Sequence, residues 1–267
     1  MRLKNPGLLI WPGVLAAIVV LSFFASAFSP FDPYSIDPLS RLKPPSATHW
    51  FGTDNFGRDL FVRVALAVRV SLSVGATVAV ISGVVGLATG LLCAWYRPLD
   101  RVLMRVCDGL FAFPSLLLAI AIVGVLGPKI ANVVLALSLV YVPSIARVIR
   151  GAAMVIKEKN FIEALRAQGA SSSRIIWLHL LPNVISPFIV QASWGVSVAI
   201  LTEAALSCLG SGVPPPMTSL GNLLLVGKAE IFTAWWMTFF PGVAIGLAIL
   251  ASNMVGVAVR DDTYASR

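Results

Sequence analysis

Long apolar runs, separated by short stretches that carry the charged residues, form the main pattern of this chain. A helix that crosses a bilayer needs about 20 mostly apolar residues. Six charge-free intervals fit this need, at residues 8–28, between 69 and 97, 109–128, 130–146, 180–202 and 231–259. The pattern therefore predicts an all-α, polytopic membrane protein with six transmembrane helices.

A seventh charge-free interval, residues 204–227, is rich in residues that break helices. Its three consecutive prolines, Pro214 to Pro216, remove backbone donors and fix the backbone. A lipid-exposed segment must satisfy its backbone groups internally, so this interval is unsuited to spanning. We expect an extended, partly re-entrant segment here.

The first interval has features of both a signal peptide and an anchor. Arg2 and Lys4 precede it, and Ala25-Ser26-Ala27 supplies one possible cleavage sequence. The apolar run is longer than the roughly 7–15 residues of a signal peptide. We expect an uncleaved anchor helix.

Composition agrees with an integral membrane protein. Hydrophobic residues make up 58% of the 267 positions and charged residues 12%, against about 25% charged in a soluble domain. The net charge of +8 comes from basic residues at the ends of apolar runs, which is typical of cytoplasmic membrane loops rather than of nucleic-acid binding. Placing both termini in the cytoplasm puts 13 of the 20 Lys and Arg residues there, so we expect that orientation.

The chain has no motif for nucleotide hydrolysis. The nearest approach to a G-x4-G-K-[ST] loop, between Gly221 and Lys228, has one residue too many, and Ala229 replaces the hydroxyl that holds Mg²⁺. Any ATP hydrolysis must come from another chain.

Enzyme chemistry within the membrane is poorly supported. The two histidines, His49 and His179, have no second ligand at helical spacing. The three cysteines, Cys93, Cys107 and Cys208, show neither metal-ligand spacing nor a disulfide framework. We predict packing roles for the cysteines and no metal site.

An ion-coupled carrier normally has ionisable residues at mid-membrane, because such groups are costly there and are retained for function. The six intervals contain none. Glu203, just past the fifth interval, is either a proton relay or a glutamate solvated at the membrane interface. A secondary transporter is therefore the weaker alternative.

The segment between the fourth and fifth intervals predicts two short helices joined by a glycine turn. Phe161, Ile162 and Leu165 recur at helical spacing, which indicates an amphipathic helix continuing from the fourth span. Gly169 can supply the left-handed residue that ends this helix.

A second short helix is predicted to follow the turn. Ser171–Ser173 offer an N-cap for a helix through residues 175–178, which Pro182 ends at the next span. Such a hairpin suits either docking of a soluble protein or contact with anionic lipid, and the residue pattern alone leaves both open.

The same segment resembles the EAA loop of ABC-importer permeases, written E-A-A-x3-G-x9-I-x-L-P. The matching residues are Glu163, Ala164, Gly169, Leu181 and Pro182. Leu165 replaces the third small residue and His179 replaces the isoleucine; a histidine before Leu-Leu-Pro-Asn is typical of the peptide and nickel branch.

Two further runs resemble the same branch. Residues 49–59 resemble its H-x-x-G-T-D-x-x-G-R-D signature, which here contains Gly52, Thr53, Asp54, Gly57, Arg58 and Asp59. Residues 206–215 resemble its L-S-F-L-G-x-G-x-x-P-P run. The chain is thus similar to the C-type permease subunits of dipeptide importers over roughly residues 30–262, although its tail at 253–262 lacks the family's acidic residue after Gly256.

The resemblance implies a type I ABC-importer permease architecture with a cytoplasmic coupling-helix loop. A second homologous permease would pair with this chain, two ATP-binding subunits would use ATP and Mg²⁺, and an extracytoplasmic solute-binding protein would deliver the cargo. Contact with an ATP-binding subunit is expected at Glu163, Ala164, Arg166, Gly169, Ala170, Ser171 and Pro182. Within this set, Arg166 is expected to meet a carboxylate of the ATPase and Glu163 a basic residue.

The resemblance also gives a division of the chain and a location in the bacterial inner membrane. We expect an anchor helix and extracytoplasmic segment at 1–69, a permease core at 70–260 with the EAA-type loop at 151–183, and a cytoplasmic tail at 261–267. The chain itself is expected to bind no cofactor, no metal and no nucleic acid. The cargo is expected to be di- or oligopeptides, with nickel or metallophore complexes and glutathione-type peptides as alternatives.

Two glycine pairs allow close approach of helices. Gly86 and Gly90, and Gly242 and Gly246, have the small-x3-small spacing. They fit either a pore or subunit interface or ordinary packing within one chain.

Overall fold

A computed structural model describes the backbone of residues 7–265 and the side-chain surroundings of residues 10–25 and 29–258. The chain is helical, as the apolar pattern predicts. The helices are α1 (Gly7–Phe28), α2 (Leu60–Trp95), α3 (Arg97–Phe111), α4 (Ser115–Leu126), α5 (Ile130–Lys157), α6 (Asn160–Ala167), α7 (Ser172–Arg174), a π-helical segment (Ile175–Leu180), α8 (Leu181–Cys208), α9 (Leu220–Ala229) and α10 (Trp236–Ala265). Between residues 7 and 265, β pairing is limited to an isolated bridge between Thr53 and Asp59.

Four helical stretches are long and apolar enough to cross a membrane: α2, α5, the continuous stretch Ser172–Cys208, and α10. The pair α3 and α4, bent by 93°, makes a fifth if it counts as one span. Helix α1 has 22 residues, of which Ile10–Ala25 form its described apolar part. The structure thus agrees with a polytopic fold, while the count of six crossings stays a prediction.

The charge-free intervals place several helix ends wrongly. Helix α2 begins at Leu60, where Asp59 caps it by accepting a hydrogen bond from the Val62 N–H, and α5 continues to Lys157 rather than ending near Ala146. A charged side chain leaves the backbone N–H and C=O groups free to continue the helix, so a charge marks the edge of an apolar run and not the end of a helix. At the other end of the chain, α10 begins only at Trp236, and its backbone continues through Ala265, so most of the expected tail at 261–267 is helix.

The third interval is divided between two helices. Helix α3 ends at Phe111, the chain turns, and α4 begins at Ser115 directly after Pro114. The residue before a proline is disfavoured in helical conformation, which explains the break. The fourth span therefore follows a bent pair rather than a single straight helix.

Pro182 does not end the second short helix, contrary to the prediction. The chain is helical without interruption from Ser172 to Cys208. The wider π turn, in which the Leu181 N–H donates to the Ile176 carbonyl, accommodates the proline. The Asn183 side chain donates a further hydrogen bond to the His179 carbonyl at 2.8 Å.

The proline-rich interval is partly helical. Its first residues belong to α8, the three prolines lie in a non-helical loop, and its last residues form α9. Helix α9 has 10 residues, about 15 Å, which is too short to span.

Three buried clusters follow the length of α2. The first joins Leu60 and Val64 to α9 and α10, the second joins Val74 and Val78 to α4, α5 and α8, and the third joins Leu91 to α5, α6 and the π segment. We call the third one the hairpin-end cluster. The α2 helix is thus the central element of the bundle.

The two glycine pairs differ. A Cβ on Gly86 would lie 2.7 Å from Ile145 Cβ, and one on Gly90 would lie 2.7 Å from the Ala146 carbonyl oxygen. These glycines therefore allow α2 and α5 to pack closely within one chain. Gly242 and Gly246 have no atom within 4 Å of such a Cβ and lie on the exposed face of α10.

Candidate functional site

The hairpin formed by residues 160–180 is amphipathic, as the sequence predicts. Ile162 of α6 and Ile175, Ile176 and Leu180 of the π segment are buried in the hairpin-end cluster. The opposite face is exposed. Helix α6 is nevertheless separate from α5, because the chain leaves helical conformation at Lys159 (ψ 144°).

The turn of the hairpin has the Schellman arrangement, in which the last helical carbonyls are satisfied by the N–H groups that follow. Gly169 adopts φ +79°, its N–H donates to the Arg166 carbonyl at 3.0 Å, and the Ala170 N–H donates to the Leu165 carbonyl at 3.0 Å. Ser171 then caps α7 by accepting a hydrogen bond from the Arg174 N–H at 3.4 Å. The turn is thus built by the chain's own hydrogen bonds.

The surface around this turn is open. A Cβ added to Gly169 would meet nothing within 4 Å. Six of the predicted contact residues are exposed and one is half-buried: Glu163, Ala164, Arg166, Gly169, Ser171 and Pro182 exposed, Ala170 half-buried. The structure brings six of them together on the hairpin, whereas Pro182 lies beyond the π segment in the first turn of α8.

Trp95, at the end of α2, provides a contact between the hairpin and the bundle. The guanidinium of Arg166 lies over its ring, 4.4 Å from the centroid. Lys157 Nζ donates to the Ala94 and Trp95 carbonyls at 2.7 and 3.2 Å, which satisfies the carboxyl end of α2. Arg166 therefore packs on its own chain rather than projecting freely from the turn, and sequence reasoning missed Trp95 because the contact joins distant positions.

Arg166 and Glu163 line a polar cleft of about 450 Å³. Charges of both signs surround it: Arg97, Asp100, Lys157, Glu158 and Lys159. Beside it, the Arg150 guanidinium binds both oxygens of Asp100, at 2.5 and 2.7 Å. The cleft is thus a mixed-charge surface next to the open turn.

The signature at residues 49–59 lies at the other end of the bundle and builds its own loop. Asp54 is buried; one oxygen accepts the Phe56 and Arg58 N–H groups at 2.8 and 3.0 Å, and the other lies 2.7 Å from Arg58 Nε. Asp59 caps α2 and lies 2.9 Å from His49 Nδ1. These carboxylates hold the loop and the start of α2 together.

The remaining signature residues complete this loop. The Thr53 hydroxyl donates to the Ser40 carbonyl, and the Thr53 carbonyl accepts the Trp236 indole N–H at 3.1 Å. Gly52 (φ +76°) and Gly57 (φ +75°) occupy conformations that favour glycine, and a Cβ on Gly57 would collide with the Asp37 carbonyl. The signature therefore has a structural explanation for each of its named residues.

Asp37 begins the short 3₁₀ turn of the same loop. A hydrogen bond from the Ser40 side chain, and a second from the Leu39 N–H, lower the pKa of the Asp37 carboxyl below its ordinary value. The carboxylate thus stays charged and keeps capping the turn.

Arg63, which falls in the expected anchor and extracytoplasmic segment at 1–69, is a buried residue of α2 that joins two distant segments. Its guanidinium lies 3.3 Å from Asp54, donates to the Pro33 carbonyl at 3.1 Å and donates to the Thr218 hydroxyl at 3.0 Å. It connects the 30–59 segment to the proline-rich loop. The local pattern gave no sign of this role, since Thr218 is 155 positions away.

Glu203 is fully buried, so the expectation of a solvated interfacial glutamate is wrong. Its two oxygens accept hydrogen bonds from the Ser71 and Ser207 hydroxyls at 2.8 and 2.7 Å. The Leu220 N–H donates to Ser71 Oγ at 3.2 Å, so the carboxyl group links α2, α8 and the start of α9. Among the described residues, no cation lies within ion-pair distance of it.

Among the residues that the structure describes, no group of three or more His, Cys, Asp or Glu side chains is arranged to hold a metal ion. Cys93 and Cys107 are buried thiols and Cys208 is half-buried. All three are free.

Residues 86–261 match the family model described as binding-protein-dependent transport system inner membrane component. A putative peptide transport system permease protein of Brucella suis is 45% identical over 252 residues, which cover 93% of this chain and 84% of that protein. The dipeptide transport system permease protein DppC of Alkalihalophilus pseudofirmus is 40% identical over 259 residues, covering 97% and 85%. The glutathione transport system permease protein GsiD of Pectobacterium atrosepticum is 38% identical over 246 residues, covering 91% and 82%.

A solved structure gives an independent comparison of the backbone. An inward-facing structure of the MetNI methionine ABC transporter contains a chain that matches with a TM-score of 0.61 at 20% identity. The match covers 75% of this chain and 97% of that one. At this identity the likeness concerns the fold.

Proposed function

Because the chain belongs to the family of binding-protein-dependent transport system inner membrane components, and has the fold of a type I ABC-importer permease, we propose that it forms half of the translocation pathway of an ATP-driven importer of short peptides. The observation that carries the cargo class is the set of relatives named above for peptides, dipeptides and glutathione, with 38–45% identity over more than 90% of this chain. Glutathione is itself a short peptide. None of these three relatives is named for nickel, so the peptide class is favoured over metallophores.

We propose that the hairpin docks on an ATP-binding subunit, which supplies the ATP, the Mg²⁺ and the hydrolysis. The support is that the hairpin has two different faces. One face is buried in the hairpin-end cluster, and the other is exposed around the open turn at Gly169. A force on the exposed face is passed to the bundle through the buried one, because closely packed interiors transmit displacement. The contact residues named from the sequence, including Pro182, remain part of this proposal.

The remaining assignments follow the same scheme. A second, homologous permease completes the pathway, a second ATP-binding subunit completes the nucleotide dimer, and an extracytoplasmic binding protein meets the end of the bundle that carries the 49–59 signature. The distribution of basic residues supports a cytoplasmic hairpin and cytoplasmic termini in a bacterial inner membrane. Of the residues used in that count, the side chains of Arg2, Lys4, Arg260 and Arg267 lie outside the described part of the chain.

The test is reconstitution. The chain should be purified alone, and then together with the permease and ATP-binding subunits encoded beside it, in vesicles that contain a di- or tripeptide-loaded binding protein. We expect no ATP hydrolysis by the chain alone and peptide-stimulated hydrolysis with uptake by the complex. The matched control carries a substitution of the phosphate-loop lysine in the ATP-binding subunits, and it should abolish uptake.

Two results would contradict the proposal. Uptake that survives the phosphate-loop substitution but collapses with an uncoupler would show an ion-coupled carrier. Uptake of a nickel–metallophore complex without uptake of any peptide would replace the cargo class while leaving the ABC-permease assignment intact.

A further inference from the structure

The exposed surface of helix α3 has an apolar part and a basic part. Its buried side, around Cys107, packs against the bundle. On the exposed side, Leu99, Val102 and Val106 form an apolar stripe, with Val102 62% and Val106 56% exposed. These three residues fall within ~60° of one another around the helix axis, so the stripe is continuous.

A row of three arginines forms the exposed polar side of the same helix. Arg97, Arg101 and Arg105 recur every four residues, and all three are exposed. At 100° per residue they span ~80° of the helix surface; Arg105 lies ~60° from Val102, and Arg97 faces away from the stripe. Among the described residues, none of them has an acidic partner within ion-pair distance.

The acidic residues of α3 are used differently. Asp100 is bound by Arg150 of α5, and Asp108 is bound by Arg147 of α5 at 2.9 Å. These ion pairs fix α3 against α5 and neutralise its carboxylates. The charge left on the exposed surface is therefore positive.

The position of α3 suits a membrane surface. It meets the apolar helix α4 at 93°, so when α4 enters the bilayer along its normal, α3 lies in the plane of the membrane. Arg97 lines the same cleft as Arg166 of the hairpin, which places α3 at the hairpin end of the bundle.

We propose that α3 is an interfacial helix that binds the anionic lipid headgroups of the leaflet on the hairpin side. Its apolar stripe lies among the upper acyl chains, and its three arginines lie at the level of the phosphates. Amphipathic helices with a basic polar side and an apolar side bind anionic membrane surfaces in this way. A protein partner fits less well, because the cores of protein interfaces are depleted of charge, whereas the exposed surface of this helix carries three arginines without ion-pair partners as well as the stripe.

The first experiment compares lipid selectivity. The full chain is purified with its partners, reconstituted in nanodiscs of phosphatidylcholine and phosphatidylglycerol, and the retained lipids are counted by native mass spectrometry. We expect the wild type to prefer phosphatidylglycerol and the double variant Arg101→Gln, Arg105→Gln to lose this preference on the order of 20-fold. The control is the double variant Arg41→Gln, Lys129→Gln, which removes the same charge from exposed positions at the other end. An equal loss in both double variants, or no loss in the first, overturns the proposal.

The second experiment identifies what covers the apolar stripe, and it remains informative if the arginine variant folds poorly. Nitroxide labels are placed at Val102→Cys and Arg101→Cys after Cys208→Ser, since Cys93 and Cys107 are buried. In nanodiscs we expect the label at 102 to be accessible to oxygen and that at 101 to a water-soluble nickel reagent. A label at 102 that is shielded from both reagents shows a protein partner on this face and overturns the proposal.

Discussion

Replacing Gly169 with alanine and with tryptophan separates two effects: the conformational cost of a side chain in the turn, and the loss of binding to an ATP-binding subunit. Gly169 has φ +79°, and no atom lies within 4 Å of an added Cβ. An L-residue in this left-handed conformation costs about 1 kcal/mol, which is small beside the 5–15 kcal/mol of a typical stable protein. Both variants therefore have about the same backbone cost within this chain, because the cost comes from the positive φ and the Cβ that they share meets no atom within 4 Å.

The two variants are expected to differ in how they bind a partner that packs against the turn. If an ATP-binding subunit packs against Gly169, inserting an indole into that interface reduces the binding free energy by about 1–3 kcal/mol, which corresponds to roughly 5- to 150-fold weaker association. The assay is co-purification of the ATP-binding subunits with the tagged chain, together with peptide uptake by cells. We expect Gly169→Ala to retain most of both and Gly169→Trp to lose both while still binding the partner permease. Equal association and uptake for the two variants would refute docking at this turn.

Three further predictions concern other features. Glu203→Gln should keep one serine hydroxyl as donor to its amide oxygen, reverse the other hydrogen bond so that its amide N–H donates to the serine oxygen, and retain uptake. Glu203→Leu should lower stability by about 2 kcal/mol by leaving buried hydroxyls without an acceptor; thermal unfolding in detergent measures this, and equal melting temperatures for the two variants would contradict it. Gly127→Ala should cost about 1–3 kcal/mol because its φ of 87° and ψ of 156° lie in a region that is essentially restricted to glycine, and Gly57→Ala about 1–3 kcal/mol more than its positive φ alone because its Cβ collides with a carbonyl; the same melting measurement tests both costs. Ser171→Cys and Ala47→Cys are both at exposed positions, and they should react with an impermeant maleimide from opposite sides of the membrane. Reaction of both cysteines from the same side would contradict the topology.

Local chemistry explains what the sequence allowed us to predict. Gly169 and Ser171 lie in a turn whose partners are three or five residues away, so residue type and spacing were sufficient. Long-range contacts were the part that local patterns could not give. Glu203 meets Ser71 from 132 positions away, and a burial that depends on another helix has no local sign. For the same reason a count of charge-free residues placed the start of α2 too late, since it ignored the partners that hold Arg63 inside the helix.

Pro182 illustrates a second kind of limit. A proline normally marks a boundary because it lacks an N–H and crowds the preceding turn. Here a wider turn just before it removes that crowding, and such a turn depends on how the hairpin packs below. The rule failed because tertiary packing changed the backbone that the rule assumes.

The uninterrupted helix from Ser172 to Cys208 has a mechanical consequence. Its 37 residues extend for ~55 Å, well beyond the roughly 30 Å of a hydrocarbon core. One end carries the hairpin, and the other carries Ser207, which holds the buried carboxyl group of Glu203. A rotation of ~5° about one end of a rod this long moves the other end by ~5 Å. The helix can therefore act as a lever that turns a small tilt at the hairpin into a displacement of nearly one helical turn at Ser207.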